Sequence, residues 1–199
     1  PAREVPFPLY LRVPPWAGAV SVSVNGQPLE VAAQQRLLKL ARTWKAGDVV
    51  DVAFTAEVRL SRWVENSVAV ERGPLVYALR IEEDWRRAAA TDRFGEYREV
   101  HPRTPWNYAL LENHVNTPRT GFTLERRGGG EYPWTLRGAP VELRTQGKRV
   151  PEWQLYNHRA GPLPHSRPQT HLAQQAPEDI RLVPYGCTKL RITEFAVVR

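Results

Sequence analysis

The residues in this sequence best suited to chemistry are its grouped carboxylates, its histidines, its one thiol and its indoles. Two carboxyl groups that face each other can cleave a glycosidic bond. The nearest groupings are Glu82-Glu83-Asp84 and Glu178-Asp179. Adjacent residues on a strand point to opposite faces, so neither grouping makes a facing pair by itself, and solvated loop acids are the plainer reading. The histidines are His101, His114, His158, His165 and His171. None has the i, i+4 helical spacing of a zinc-protease motif, and they read as ordinary loop histidines. Cys187 is the only cysteine. It lies in a Pro/Gly turn and reads as a small buried apolar group rather than a nucleophile. A single cysteine excludes an internal disulfide and a multi-cysteine metal site within the chain. No serine sits in a Gly-x-Ser-x-Gly setting, and no glycine-rich phosphate loop precedes a helix.

The indoles are more suggestive. The seven are Trp16, Trp44, Trp63, Trp85, Trp106, Trp134 and Trp153. An indole face can stack on the C–H face of a sugar ring, yet tryptophan in a β-sandwich more often fills a core or an interface. Trp106-Asn107-Tyr108 is the best exception, because an amide between two aromatics offers stacking and hydrogen bonding together. These three, with Glu71 and Arg72 at a tight turn, are the candidates for contact with a substrate or a neighbouring domain. No catalytic residue, metal ligand or cofactor is assigned within the chain.

These residues must be positioned by strands. Val68–Val70 and Leu75–Ile81 are extended runs meeting at Glu71-Arg72-Gly73-Pro74. Leu75, Tyr77, Leu79 and Ile81 alternate with Val76, Ala78 and Arg80, the period of two of a strand. The apolar Val76 and Ala78 suggest cover on both faces in its first half. Proline has no N–H to give to a ladder and fixes φ, so Pro74 belongs at a strand start. Upstream, Leu9, Leu11 and Val13 alternate, as do Val20, Val22 and Val24. Asn25-Gly26 signals a tight hairpin, with Leu29 and Val31 starting the return. Leu37–Leu40 is a strand, Thr43–Asp48 a turn, Val50, Val52 and Phe54 a strand, and Val58 and Leu60 a short one.

Downstream, Arg86–Glu96 has low β propensity and reads as a loop. Trp106–Leu111, Phe122–Arg126 and Val141–Thr145 read as strands, and Gly147-Lys148-Arg149 as a turn into Val150. Residues 157–178 are rich in Pro, His and Gln and read as one long irregular loop, of the kind that is usually functional or packed on a neighbour. Ile180–Val183 and Lys189–Val197 make the last strands. Short strands separated by turn chemistry every eight to twelve residues point to a sandwich or barrel. The fold class expected is all-β, with two antiparallel, jelly-roll-like β-sandwich units. The first spans residues 1–82, with Leu11, Val22, Val24, Leu38, Val50, Val52 and Leu79 in its core; the second spans residues 83–199 and carries the long loop.

Composition agrees with that class. The chain has 199 residues, 42% of them hydrophobic, with 18 Pro and 13 Gly. No helical stripe exceeds about three turns, and no apolar run approaches the ~18 residues of a membrane span. The net charge is +7, which raises nucleic-acid binding. Basic residues form no longer group than pairs such as Arg86-Arg87, acids are interleaved throughout, and only four of the basic residues are Lys. A solvated basic surface is the reading; neither nucleic acid nor membrane is expected as a partner. The chain starts at Pro1 and contains no Met, and is expected to be a piece of a longer protein, which leaves a leader and the localisation open.

Several stretches together resemble a known family. Leu11-Arg12-Val13-Pro14-Pro15-Trp16 with Val24-Asn25-Gly26 is similar to its L-R-I-P-x-W…V-N-G opening. Thr43–Asp48 resembles its x-W-x-x-G-D turn, and Val70–Tyr77 its R-G-P-L-V-Y segment. Pro105–Tyr108, Val150–Trp153 and Leu182–Phe195 complete the series, in order, over nearly the whole chain. The family is glycoside hydrolase family 127, the β-L-arabinofuranosidase-like proteins.

The resemblance implies an α/α-barrel catalytic domain followed by β-sandwich domains, of which this chain is similar to the C-terminal β part. In the family, hydrolysis is attributed to a zinc held by three cysteines and a glutamate, with one cysteine as nucleophile and a second glutamate as acid. One cysteine cannot supply that set, and Cys187 matches no nucleophile motif. The resemblance therefore implies a non-catalytic region of a retaining glycosidase acting on plant-type glycans. Its implied partner is the N-terminal α/α-barrel of the same parent chain. An independent carbohydrate-binding module is the alternative, and a basic nucleic-acid-binding β domain a further one. If a catalytic domain docks here, Trp106 or Tyr108 is expected to be substantially exposed, and the 157–178 loop to make few internal apolar contacts.

Overall fold

The computed structural model describes residues 3–31, 36–90, 93, 95–128, 131–166 and 175–199. By packing, the chain divides into two compact units, Pro1–Glu57 with Arg72–Pro74, and Val58–Glu71 with Leu75–Arg199.

In the first unit, β1 (Val5–Arg12) pairs antiparallel with β4 (Leu37–Trp44). A second sheet is built of β2 (Val20–Val24), β3 (Gln27–Leu29) and β5 (Val50–Phe54), with β2 in the centre. Alternation decides what they bury: Val22 and Val24 from β2 meet Leu38, Leu40 and Trp44 from β4, with Leu9, Leu11, Val50 and Val52 packed around them. The β2–β3 turn is the one expected, with Asn25 at φ 52° and Gly26 at φ 76°, the pair of positive φ values that a two-residue hairpin needs. Asn25 Nδ2 donates to Asp48 Oδ1 at 2.8 Å, and the Lys45 N–H donates to Asp48 Oδ2 at 2.9 Å. These hydrogen bonds, the one from Asn25 first, hold the Asp48 carboxyl below the usual range.

The second unit is built on a nine-stranded sheet curled into a half-barrel. Its strands are β6 (Val58–Arg62), β7 (Val68–Arg72), β8 (Leu75–Leu79), β11 (Tyr108–Leu111), β12 (Thr123–Arg126), β13 (Val141–Arg149), β16 (Glu178–Pro184), β17 (Glu194–Phe195) and β18 (Val197–Val198). The path runs β17-β7-β8-β16-β13-β11-β18, with β6 on β7 and β12 on β13. Outside it, β9 (Glu83–Ala88) pairs with β10 (Tyr97–Pro102), and β14 (Leu155–Tyr156) with β15 (Arg159–Ala160). Val68, Val70, Tyr77, Leu79, Leu110, Leu143, Leu182 and Phe195 fill the core. The all-β reading holds, and β7 and β8, the two extended runs either side of Glu71-Arg72-Gly73-Pro74, are neighbours in this one sheet.

Other expectations are corrected. Leu79 belongs to the core of the second unit, because β8 pairs with β16, whereas the sequence reading put residues 1–82 in one unit. The stretch read as a loop from Arg86 is strand to Ala88; the ladder sets Arg86 opposite Glu99, and opposite charges across a pair offset weak β propensity. Residues 91–92 and 94 of that stretch lie outside the described residues. Gly147-Lys148-Arg149 is no turn: the nine residues of β13 run straight through it, between β11 and β16. Lys189–Val197 is not one strand, since only Glu194–Phe195 and Val197–Val198 pair. A short α1 (Glu112–Asn116) and α2 (Pro118–Gly121) follow β11, where no helix was expected. Part of the 157–178 stretch is ordered by its own unit. Leu163 packs against the cluster that holds Ala109, Val150, Trp153, Ala196 and Val198, the Val197 N–H donates to Ser166 Oγ at 3.0 Å, and Trp153 Nε1 donates to the Gly161 carbonyl at 2.9 Å. Residues 167–174 of that loop lie outside the described residues, among them His171.

No helix among the described residues is long and apolar enough to cross a membrane, which says nothing of a β-barrel.

Candidate functional site

The second unit contains a cavity of about 550 Å³. Its apolar walls include Ile81 two residues beyond β8, Val100 and Pro102 from β10, and Ile192 from the segment before β17. Trp106, just before β11, is the one indole among its described wall residues. That ring is half-buried and held edge-on by the buried Trp153, with centroids 5.2 Å apart and planes at 70°, a preferred arrangement for an aromatic pair.

The polar walls are unequal in charge. Among the described residues, Lys189, Arg191 and Arg159 stand against Glu99 as the only carboxylate. Glu99 Oε2 lies 3.1 Å from His101 Nε2, another wall residue. Arg191 Nε donates to the Thr188 carbonyl at 3.0 Å, and its guanidinium lies 4.4 Å from the Tyr185 ring centroid. His158 sits at the tip of the β14–β15 hairpin with φ 60°, next to Asn157 at φ 48°.

The site residues expected from sequence are separated by this arrangement. Trp106 lines the cavity. Asn107 is spent on structure: its Nδ2 donates to the Val150 carbonyl at 2.9 Å, and the Val150 N–H donates back to the Asn107 carbonyl at 2.8 Å. Tyr108 is 6% exposed, and its hydroxyl donates to Glu178 Oε2 at 2.5 Å. Burial, then the hydrogen bond to Glu178, pushes the phenol above its ordinary range. Of the pair expected to leave one member substantially exposed, Tyr108 is buried and Trp106 is half-buried. Tyr108 begins a strand paired with β13, and Trp106 is clasped by Trp153. Glu71 accepts from Ser61 Oγ at 2.7 Å, with Arg59 at 4.0 Å; neither it nor Arg72 is a wall of the cavity. Sequence reasoning missed Lys189, Arg191 and Arg159, because they come together only through the packing of two distant segments.

The thiol of Cys187 is not poised for attack. It is 3% exposed, its Sγ donates to the Pro133 carbonyl at 3.2 Å, and burial pushes its pKa up. A reactive cysteine needs the opposite, a depressed pKa and access. Among the described residues no group of three or more His, Cys, Asp and Glu is placed to hold a metal ion.

Comparison with known proteins gives three findings. Residues 1–56 match the family model described as the middle domain of the GH127 β-L-arabinofuranosidases. No curated protein matches the chain. Among solved structures, a glycoside hydrolase is similar over 98% of this chain and 28% of its own, at 23% identity and a TM-score of 0.57. A GH127 β-L-arabinofuranosidase from Geobacillus stearothermophilus T6 is similar over 98% and 27%, at 20% identity and a TM-score of 0.57. A further GH127 β-arabinofuranosidase is similar over 98% and 28%, at 22% identity and a TM-score of 0.56. At these identities the likeness of the whole chain is one of fold, and the chain spans about 28% of the length of the solved relatives. The family resemblance carried by the motifs is borne out over residues 1–56 by the family-model match, and the whole chain shares the fold of these relatives.

Proposed function

We propose that this chain is a non-catalytic β region of a retaining, β-L-arabinofuranosidase-like glycoside hydrolase acting on plant-type glycans, and that it supports an α/α-barrel catalytic domain. The observation that carries the reading is the match of residues 1–56 to the GH127 middle domain, in a chain that has the fold of little more than a quarter of each GH127 relative. The chemistry present supports it: the one thiol is buried with a raised pKa. The surface supports it too. Tyr132, Trp134 and Tyr185 are 66%, 60% and 45% exposed, and Arg191 lies over the Tyr185 ring. Exposed aromatics beside arginine are what a surface covered by a partner presents.

The test is an assay of the isolated chain on an aryl β-L-arabinofuranoside, with and without added zinc. No turnover is expected. Turnover abolished by a chelator would overturn the non-catalytic role.

A further inference from the structure

We propose that the cavity walled by Trp106, Lys189, Arg191 and Arg159 is a binding site for an acidic glycan, one whose pyranose rings carry carboxylates, as uronic acids do. Its volume of about 550 Å³ lies within the range of small-molecule sites. Its apolar lining is anchored by an indole that Trp153 holds in place, so a ring stacking on Trp106 meets a surface already ordered. A sugar offers that indole an apolar C–H face.

The charge selects among sugars. Other arginines of the second unit are matched by acids, among them Arg80, Arg127 and Arg181 with Glu142, Arg144 with Glu125, and Arg86 with Asp84. At the cavity the match fails. Lys189 and Arg159 have no side-chain hydrogen bond or ion pair among the described residues, and the single wall carboxylate, Glu99, is engaged by His101. A neutral sugar would leave these cations unused, and inorganic phosphate would leave the aromatic wall unused. A carboxylated sugar uses both, and charge-assisted hydrogen bonds are the strong ones. The cations come from two separate segments, β15 and the stretch before β17, which suits a ligand of more than one unit. The choice of a sugar over other ring-bearing acids rests on the proposed membership of a glycan-processing protein.

Calorimetric titration of the chain with trigalacturonate at low ionic strength tests this. Saturable binding with a Kd below about 1 mM is expected. The fully methyl-esterified trisaccharide, with the same rings and no charge, should bind at least about tenfold more weakly. The double variant Lys189→Gln/Arg159→Gln should lose at least about tenfold in affinity for trigalacturonate with an unchanged melting temperature. Trp106→Phe should weaken the acid and the ester by the same factor. Absence of heat at about 10 mM ligand, equal binding of the ester, or full affinity in the double variant would overturn the proposal. So would equally tight binding of a hexaglutamate peptide, which would make the occupant an acidic protein segment. Failure of uronate binding leaves the accessory role standing, and turnover of an arabinofuranoside would remove that role without touching this site.

Discussion

Arg80 donates through Nη1 to Oε1 of Glu142 at 2.7 Å, and the carboxylate that receives it is completely buried. Arg127 reaches the same oxygen at 2.6 Å, and Arg181 reaches Oε2 at 3.2 Å. Glu142 thus stands on β13 as a buried negative centre shared by three guanidinium groups, from Arg127 just after β12, Arg181 on β16 and Arg80 just after β8, and Arg80 also donates through Nη2 to Glu82 Oε1 at 2.9 Å. Arg80 is the most buried of the three and also donates to the Leu136 carbonyl at 2.9 Å. Glu142→Gln removes the charge and leaves the cations around a buried amide. A cost of about 3–5 kcal/mol is expected. Arg181→Ala, at the more exposed and longer contact, should cost less than about 1 kcal/mol. Urea denaturation of both variants checks this, and equal costs would contradict the central role of Glu142.

Trp44 is 5% exposed, packs in the first unit with Val22, Val24, Leu38 and Leu40, and donates from Nε1 to the Phe7 carbonyl at 2.9 Å. Trp44→Ala should therefore cost about 3–5 kcal/mol. Trp44→Phe keeps most of the volume and should lose about 1 kcal/mol for the hydrogen bond, with a further loss for the smaller ring. Unchanged denaturation midpoints in both would place Trp44 outside the core.

What the sequence made legible was local chemistry. Asn25-Gly26 demands positive φ, Val22 and Val24 alternate toward one face, and Gly73-Pro74 breaks the backbone between two strands, so each could be read within a few residues. The Trp44 turn motif is explained by its bonds, since Asp48 ties Asn25 and the Lys45 N–H together. The misreadings needed distant partners. Arg86 and Arg87 are strand because β10 lies alongside them, and Gly147 is strand because β11 and β16 flank it. The division of units was hidden for the same reason: β8 follows the first unit in sequence but pairs with β16. The cavity is the extreme case, since Trp106, Arg159 and Lys189 are set together by folding alone.

Gly147 offers a direct check on the β13 register. It stands opposite Leu110 on one side and Glu178 on the other. A Cβ there would lie 2.8 Å from the Ala109 carbonyl oxygen and 3.0 Å from Ile180 Cδ1. The first of these is backbone in a paired strand and cannot swing aside. Gly147→Ala should destabilise the chain by about 1–3 kcal/mol, as overpacking does. At Gly128 a Cβ would meet nothing within 4 Å, so Gly128→Ala should stay within about 0.5 kcal/mol of the parent. Thermal melts of the two variants separate these outcomes, and a Gly147→Ala chain as stable as the parent would place this glycine outside the sheet interior.

Tyr108 and Glu178 make the stability of the second unit depend on alkaline pH. The phenol is raised above its ordinary value of 10.0, by burial first and by its hydrogen bond to the Glu178 carboxylate second. The folded chain therefore keeps this proton at a pH where the unfolded chain has released it. Below the ordinary value both states are protonated and the contribution is fully present. As pH rises from there through the folded value it is lost, because the unfolded state binds fewer protons. Tyr108→Phe removes both the hydrogen bond and the titration. It should lower stability at neutral pH by about 1–3 kcal/mol, the range for a hydrogen bond to a charged group together with the acceptor left behind. It should also flatten the decline of melting temperature above about pH 10. Melting curves of the parent and Tyr108→Phe chains from neutral to alkaline pH measure both effects, and parallel declines above pH 10 would show that Tyr108 is not the group responsible.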